Sequence, residues 1–235
     1  MIGINMRKIV LFALGLVAGA TTYAQDGVEA TIGADFVSQY IWRGLDTGNV
    51  SIQPTLGIGY KGLSLSAWGS VGVKSDDTKE FDLTASYTIG GFTIGVTDYW
   101  FNSPEERYLY YKAHDTSHVF ETSVAYDFGL LSAAWYTNFA GNDGVNKKGK
   151  RAYSSYFELN APFKLASCDW TGTLGVVPYA TTYYDTSGFA VTNVALKASK
   201  AIKITDSFSV PIFAQVVANP CSQKAYFVFG FTLQP

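Results

Sequence analysis

From Val28 to Leu233 the chain alternates apolar and polar side chains with a period of two, the pattern of extended strands whose two faces meet different surroundings. In 50-VSIQPTLGIGY-60 the residues Val50, Ile52, Leu56, Ile58 and Tyr60 share one face, and Ser51, Gln53, Thr55, Gly57 and Gly59 share the other. The run 63-LSLSAWGSVGV-73 repeats this, with Leu63, Leu65, Ala67, Val71 and Val73 set against Ser64, Ser66 and Ser70. Comparable runs cover 79–88, 91–99, 117–127, 130–138, 151–161, 170–182, 189–198, 203–217 and 224–233. With the opening segment 34-ADFVSQYIWRGL-45 they number twelve. An even count lets a meander close on itself and leaves no strand edge unpaired.

The links between runs fall into two alternating classes. Lys61-Gly62, Gly90-Gly91 and Phe128-Gly129 are tight, and 162-PFKLASCD-169 and 199-SKAI-202 are somewhat longer members of the same set. The intervening links are mostly longer and polar: 45-LDTGN-49, 74-KSDDT-78, part of 100–117, and 139-FAGNDGVNKKGK-150. Tight turns at one end and longer loops at the other predict an all-β fold, a transmembrane antiparallel up-and-down β-barrel of about 12 strands with N- and C-termini periplasmic. A soluble β-sandwich also alternates and turns about every 8–12 residues. The even count, the alternating loop lengths and the aromatics at strand ends favour the barrel.

Composition strengthens that choice. Sixteen Tyr, sixteen Phe, five Trp and 23 Gly accompany only 15% charged residues, where a soluble domain carries about 25%. Lipid in place of water around the outer face accounts for the deficit. Tyr40, Trp42, Tyr60, Tyr87, Tyr99, Trp100, Tyr126, Tyr136, Tyr153 and Trp170 sit where two interfacial girdles are expected. In the last run Phe227, Phe229, Phe231 and Leu233 share one side.

Ahead of the alternating region, Arg7 and Lys8 precede an apolar run from Ile9 to Ala18 and a small-residue site ending at Ala24. This layout predicts a signal peptide over 1–24 and a barrel domain over 25–235, the apolar run being too short for a spanning helix. Without Arg7 and Lys8 the chain has 15 basic residues against 19 acidic, which leaves no footprint for nucleic acid. Export to the outer membrane of a Gram-negative bacterium is the expected location. Outer-membrane lipids and the outer-membrane assembly machinery are then the expected partners, together with small polar solutes.

Within the first strand, alternation places Phe36, Tyr40 and Trp42 on the lipid side and Asp35, Val37, Gln39, Ile41 and Arg43 in the lumen. Asp35 and Arg43 are separated by about 26 Å of strand and are not expected to pair. The same parity argument sends Asp82, Asp98, Glu121 and Glu158 inward, where a charge meets water or an opposite charge in place of lipid, whose cost at mid-depth is up to a few kcal/mol. Trp68 and Tyr156, if they point inward, would fill much of a twelve-stranded lumen.

The stretch DFVSQYIWRG, following directly on a signal peptide, resembles the opening of the TorF-like porin family of bacterial outer-membrane β-barrel proteins. In that family an aspartate, a serine, an aromatic and an Arg-Gly pair mark the first strand. The resemblance spans about ten residues and picks out Asp35, Ser38, Tyr40, Trp42, Arg43 and Gly44. It implies outer-membrane location and passive transport. The chain departs from the usual outer-membrane pattern in placing Gln234 and Pro235 after its last strand.

Chemistry for catalysis or cofactors is not visible. The histidines of 114-HDTSH-118 have a ligand-like spacing of four, but no Cys or Glu pattern completes a metal site. Ser117 and Ser123 have no base placed to activate them. No enzyme activity, cofactor or metal is expected. The basic 147-KKGKR-151 reads as a solvated loop tip, and 104-PEERYLYYKAHD-115 as a loop able to fold into the lumen. Cys168 and Cys221 fall at opposite ends of the predicted barrel, too far apart for a disulfide, so both are expected to be free. The leading expectation for function is a diffusion channel for small polar solutes; the alternative is a non-conducting structural or adhesive barrel whose outer loops bind partners.

Overall fold

The computed structural model describes residues 21–25, 27–77, 79–102 and 106–235. The expected leader lies outside these residues except for its last four positions, which run in the first strand. Fifteen strands follow one another and no α-helix occurs among the described residues. They are β1 (Thr21–Gln25), β2 (Val28–Val37), β3 (Tyr40–Trp42), β4 (Leu45–Gly48), β5 (Ser51–Tyr60), β6 (Leu63–Gly72), β7 (Lys79–Ile89) and β8 (Phe92–Asn102). Then come β9 (His118–Asp127), β10 (Ser132–Gly141), β11 (Ser155–Leu165), β12 (Cys168–Val177), β13 (Ala190–Lys203), β14 (Ser209–Asn219) and β15 (Lys224–Leu233).

Twelve of these form the wall of a closed antiparallel barrel. β2 pairs with β5, each strand from β5 to β14 pairs with the next, and β15 returns to β2. Closure is short: only Gly230 to Leu233 of β15 pair with Ala34 to Val37 of β2. The lower part of β2 instead carries β1, in the register Thr21↔Ile32 to Gln25↔Val28.

Period-two alternation sorts side chains onto an apolar outer wall and a polar inner wall. Leu56, Ile58, Leu65, Leu174, Val194, Phe227 and Phe229 are exposed on the outside, Leu56 at 63%. On the inside of the same strands Gln53 is 1% exposed and Ser70 likewise. The distribution is that of a soluble protein turned inside out.

Turns are tightest at one end, here the turn end. Lys61-Gly62 and Ala166-Ser167 are two-residue connections in which all four residues have positive φ. The link expected over 162–169 is revised: it is mostly strand, with the turn confined to Ala166-Ser167. β13 likewise runs through 199–202, and its turn lies at 204–208. Cys168 sits at this turn end and Cys221 in the β14–β15 connection at the loop end, and both are free.

The first predicted run behaves differently from the rest. The wall strand β2 stops at Val37, and the chain turns off the wall at Ser38 and Gln39, where the Ser38 hydroxyl accepts from the Phe229 amide at 3.0 Å. Residues 40–48 then form a separate hairpin, β3 paired with β4. The segment expected to continue the wall, and the link 45–49 expected to be a loop, are together a two-stranded element inside the barrel.

Candidate functional site

The hairpin turns over at Arg43-Gly44, both with positive φ (50° and 80°), the combination a two-residue type I′ turn demands. An arginine there costs about 1–2 kcal/mol relative to glycine. Gly44 has no substitute: a Cβ would collide with the Thr192 carbonyl oxygen on β13. Its own carbonyl accepts from Asn219 Nδ2 at 3.0 Å. The hairpin tip is therefore seated against β13 and β14, on the opposite wall from β7.

Arg43 is held by a two-pronged bond. Its Nη1 and Nη2 donate to the two carboxylate oxygens of Glu121 on β9 at 2.6 and 2.8 Å, and Nη1 also donates to the Tyr184 hydroxyl at 2.6 Å. Side-chain exposures of 8% for Arg43 and 2% for Glu121 make this a buried ion pair. Tyr99 adds a hydrogen bond to Glu121 at 2.9 Å. The guanidinium carbon lies 4.0 Å from the Tyr136 ring, 4.3 Å from Trp42 and 4.8 Å from Tyr156, so aromatic faces replace the hydration that burial removes.

Aromatic rings pack the rest of the cross-section. Trp42 stacks on Tyr184 at 5.8 Å and meets Tyr99 and Tyr183 edge-on. Tyr40 packs on Trp68 at 5.5 Å. Tyr183 and Tyr184 come from the 178–189 connection, which folds inward to meet the hairpin. Burial, the largest influence on the Tyr184 phenol, pushes its pKa up while Arg43 opposes the shift, so the hydroxyl stays neutral. Tyr156, 0% exposed, passes over Gly175, where a Cβ would strike its hydroxyl. The same hydroxyl donates to Glu158 at 2.8 Å and accepts from Asn193 at 3.1 Å.

Toward the turn end the inner wall changes character. Thr31, Gly33, Asp35, Ser64, Ser66, Ser86, Asn160, Thr171, Thr173, Lys197 and Gln215 are only partly buried. Small and polar, they line a vestibule that water reaches. The lumen is thus accessible from the turn end and stoppered toward the loop end.

The structure places the six residues expected in the lumen as follows. Asp35 faces inward and accepts from Thr232, and Asp82, Glu121 and Glu158 also face inward. Arg43 lies in the lumen, though on the hairpin and not on the wall. Asp98 is a correction: it shares the outer face of β8 with Ile94 and Val96, while Thr97 and Tyr99 point inward. It is tolerated there because His118 Nδ1 meets it at 2.7 Å and the 106–117 connection covers both. His118 Nε2 donates to the Tyr108 carbonyl at 2.7 Å, and Tyr108 and Tyr111 pack on the His118 ring. That connection lies against the outer wall, on Phe81, Trp100 and Phe120, so the inward fold open to 104–115 is not the one it takes over 106–115.

The girdle also needs correcting. Tyr60, Tyr87, Tyr126 and Trp170 lie outside near the turn end, with Trp100 outside and Tyr153 exposed toward the loop end. Tyr40, Trp42, Tyr99 and Tyr136 are instead inside, in the stopper, because the hairpin leaves the wall and because the parity of β8 and β10 turns their tyrosines inward. Glu80, Tyr183 and Tyr184 were not singled out from sequence. Glu80 carried a signal, since it shares the parity of Asp82.

No family model matches the chain, and no curated protein matches it. Among solved structures the chain is similar to one described as "KdgM porin", at 10% identity and a TM-score of 0.47, over 86% of this chain and 96% of that one. The likeness of the first strand to the TorF-like family therefore stands on its own ten residues.

Proposed function

We propose that this protein is an outer-membrane channel for small polar solutes whose lumen is stoppered by its own β3–β4 hairpin. The observation that carries the reading is the inside-out wall: an apolar exterior suited to lipid around a polar, small-residue vestibule suited to water. A sealed scaffold needs no hydrated vestibule. In this reading the turn end faces the periplasm, lipids surround the wall, and the assembly machinery inserts the barrel. The role proposed is passage and not catalysis.

A rival reading has a specific observation in its favour, the near-complete burial of Tyr156, Tyr184 and Arg43 across the loop half of the lumen. It makes the barrel a non-conducting support for its outer loops. Planar-bilayer recordings of the purified protein, beside a variant with residues 39–49 replaced by a short Gly-Ser turn, separate the two. The channel reading expects rare or small openings from the intact barrel and steady unitary steps from the variant. Silence from both, with both folded, would overturn it.

A further inference from the structure

One group of lumen side chains lies outside the Arg43 network. Glu80 and Asp82 are two residues apart on β7, so both point inward, and their carboxyls meet. They are 6% and 4% exposed, yet Glu80 Oε2 and Asp82 Oδ1 accept no hydrogen bond. Among the described residues no lysine, arginine or histidine pairs with either. Arg43 offers no relief, because both its prongs are engaged by Glu121.

A neighbouring strand supplies an independent observation. Gln53 on β5 is 1% exposed and leans toward β6, its amide nitrogen donating to the hydroxyls of Ser51 at 3.1 Å and Ser70 at 3.5 Å. Ser70 is the cross-strand partner of Glu80. With its nitrogen so turned, Gln53 Oε1 is buried without a donor. From the hairpin side the Tyr40 hydroxyl donates to Glu80, while its ring lies on Trp68, the cross-strand partner of Asp82. Three orphaned oxygens and a hydroxyl therefore occupy one corner of the lumen, and among the described residues no positive charge pairs with them.

We propose that Glu80, Asp82, Gln53 and Tyr40 form a binding site for a hard cation, with Ca²⁺ the best match. Two buried carboxylates without a counter-charge are strongly disfavoured, and a cation supplies what the chain does not. All the donors are oxygen, which selects against Zn²⁺ and similar nitrogen- and sulfur-seeking metals. Ca²⁺ takes about 6–8 oxygens in flexible geometry, which two carboxylates, an amide carbonyl and hydroxyls can satisfy with water. Because Tyr40 belongs to β3, the ion ties the hairpin to the wall on the side opposite its seat at β13. The competing way to hold the two carboxyls together is a proton shared between them.

The site does not depend on whether the barrel conducts, so its test is separate. The full-length protein, folded in detergent and stripped with a chelator, is titrated with Tb³⁺, whose emission is sensitised by nearby aromatic rings; Trp68 and Tyr40 adjoin the site. The expected result is emission that saturates at one ion per chain, is reversed by Ca²⁺, and disappears in the Glu80→Gln/Asp82→Asn variant. Asp169→Asn, which removes an exposed carboxylate at the turn end, titrates like the parent. Gln53→Leu keeps both carboxylates and weakens binding about tenfold, which decides the matter if the double variant does not fold. Emission that never saturates, or that survives unchanged in the double variant or in Gln53→Leu, overturns the proposal. So does a parent protein that ignores Ca²⁺ while the double variant gains thermal stability, the mark of a shared proton.

Discussion

Glu121→Gln isolates what holds the hairpin in the lumen. The substitution keeps the side chain's size and one acceptor for the Tyr99 hydroxyl, but removes the charge that Arg43 meets at 2.6 and 2.8 Å. Removing one partner of a buried ion pair costs about 3–5 kcal/mol. Three aromatic rings within 4.8 Å remain around the guanidinium and soften the loss, so the low end, about 3 kcal/mol or roughly 150-fold, is the working value. The hairpin is joined to the wall only at its two ends, and an undocked Arg43 returns to water. The cost therefore falls on docking and leaves the twelve-stranded ladder intact. Hydrogen exchange of the amides of residues 40–48, followed by mass spectrometry, should quicken by about a hundredfold, with β7, β8 and β9 unchanged. Tyr99→Phe, which deletes one hydrogen bond, should quicken exchange only severalfold. Equal hairpin protection in Glu121→Gln and the parent would refute the latch. Loss of thermal stability of the whole barrel with no change at the hairpin would refute it as well, and would return Arg43 and Glu121 to plain wall structure.

Gly175→Ala should lower the urea midpoint of unfolding by the equivalent of about 1–3 kcal/mol, because the new Cβ meets the Tyr156 hydroxyl over β12; an unchanged midpoint would mean that Tyr156 is not packed there. His118→Ala should free the 106–117 connection from the outer wall and speed tryptic cleavage after Arg107 and Lys112 by about tenfold or more, while planar-bilayer recordings match those of the parent, since Asp98 and His118 lie outside the lumen. Leu56→Lys, at the middle of the apolar band, should cost about 2–4 kcal/mol in lipid vesicles, whereas Ser86→Lys on the inner face should cost much less; equal costs would contradict the face assignment. On intact cells a membrane-impermeant thiol reagent should label Cys221 and spare Cys168, and labelling of Cys168 alone would invert the proposed orientation.

Strand existence, the antiparallel meander and the closed wall were legible in the sequence, because period-two alternation is local and each strand declares its own two faces. The same locality explains Asp82, which stands between Glu80 and Thr84, and Glu121 and Glu158, each with a polar residue two positions on, Ser123 and Asn160. Where reading failed, non-local contacts had overridden the local pattern. Asp98 continues the apolar face of Ile94 and Val96, and only the partner His118 and the overlying 106–117 connection, brought from twenty residues along the chain, make that position tenable. The turn in 162–169 was masked because Phe163 and Trp170 extend the outer face almost to the hairpin tip and stack there. Where Tyr40, Trp42 and Arg43 point had no local answer. Aromatics recur on one face and charges at both ends of the other through 34–43, and the polar pair Ser38-Gln39 is the one local break where the chain leaves the wall. What decides it is Glu121, seventy-eight residues away, with Tyr184 and the small residue Gly44 fitting against Thr192. Sequence determines which faces a strand offers, since that follows from side-chain chemistry and a fixed backbone period. Tertiary structure decides whether the segment stays in the wall or folds into the lumen, because that choice is set by charges and rings that meet only once the barrel has closed.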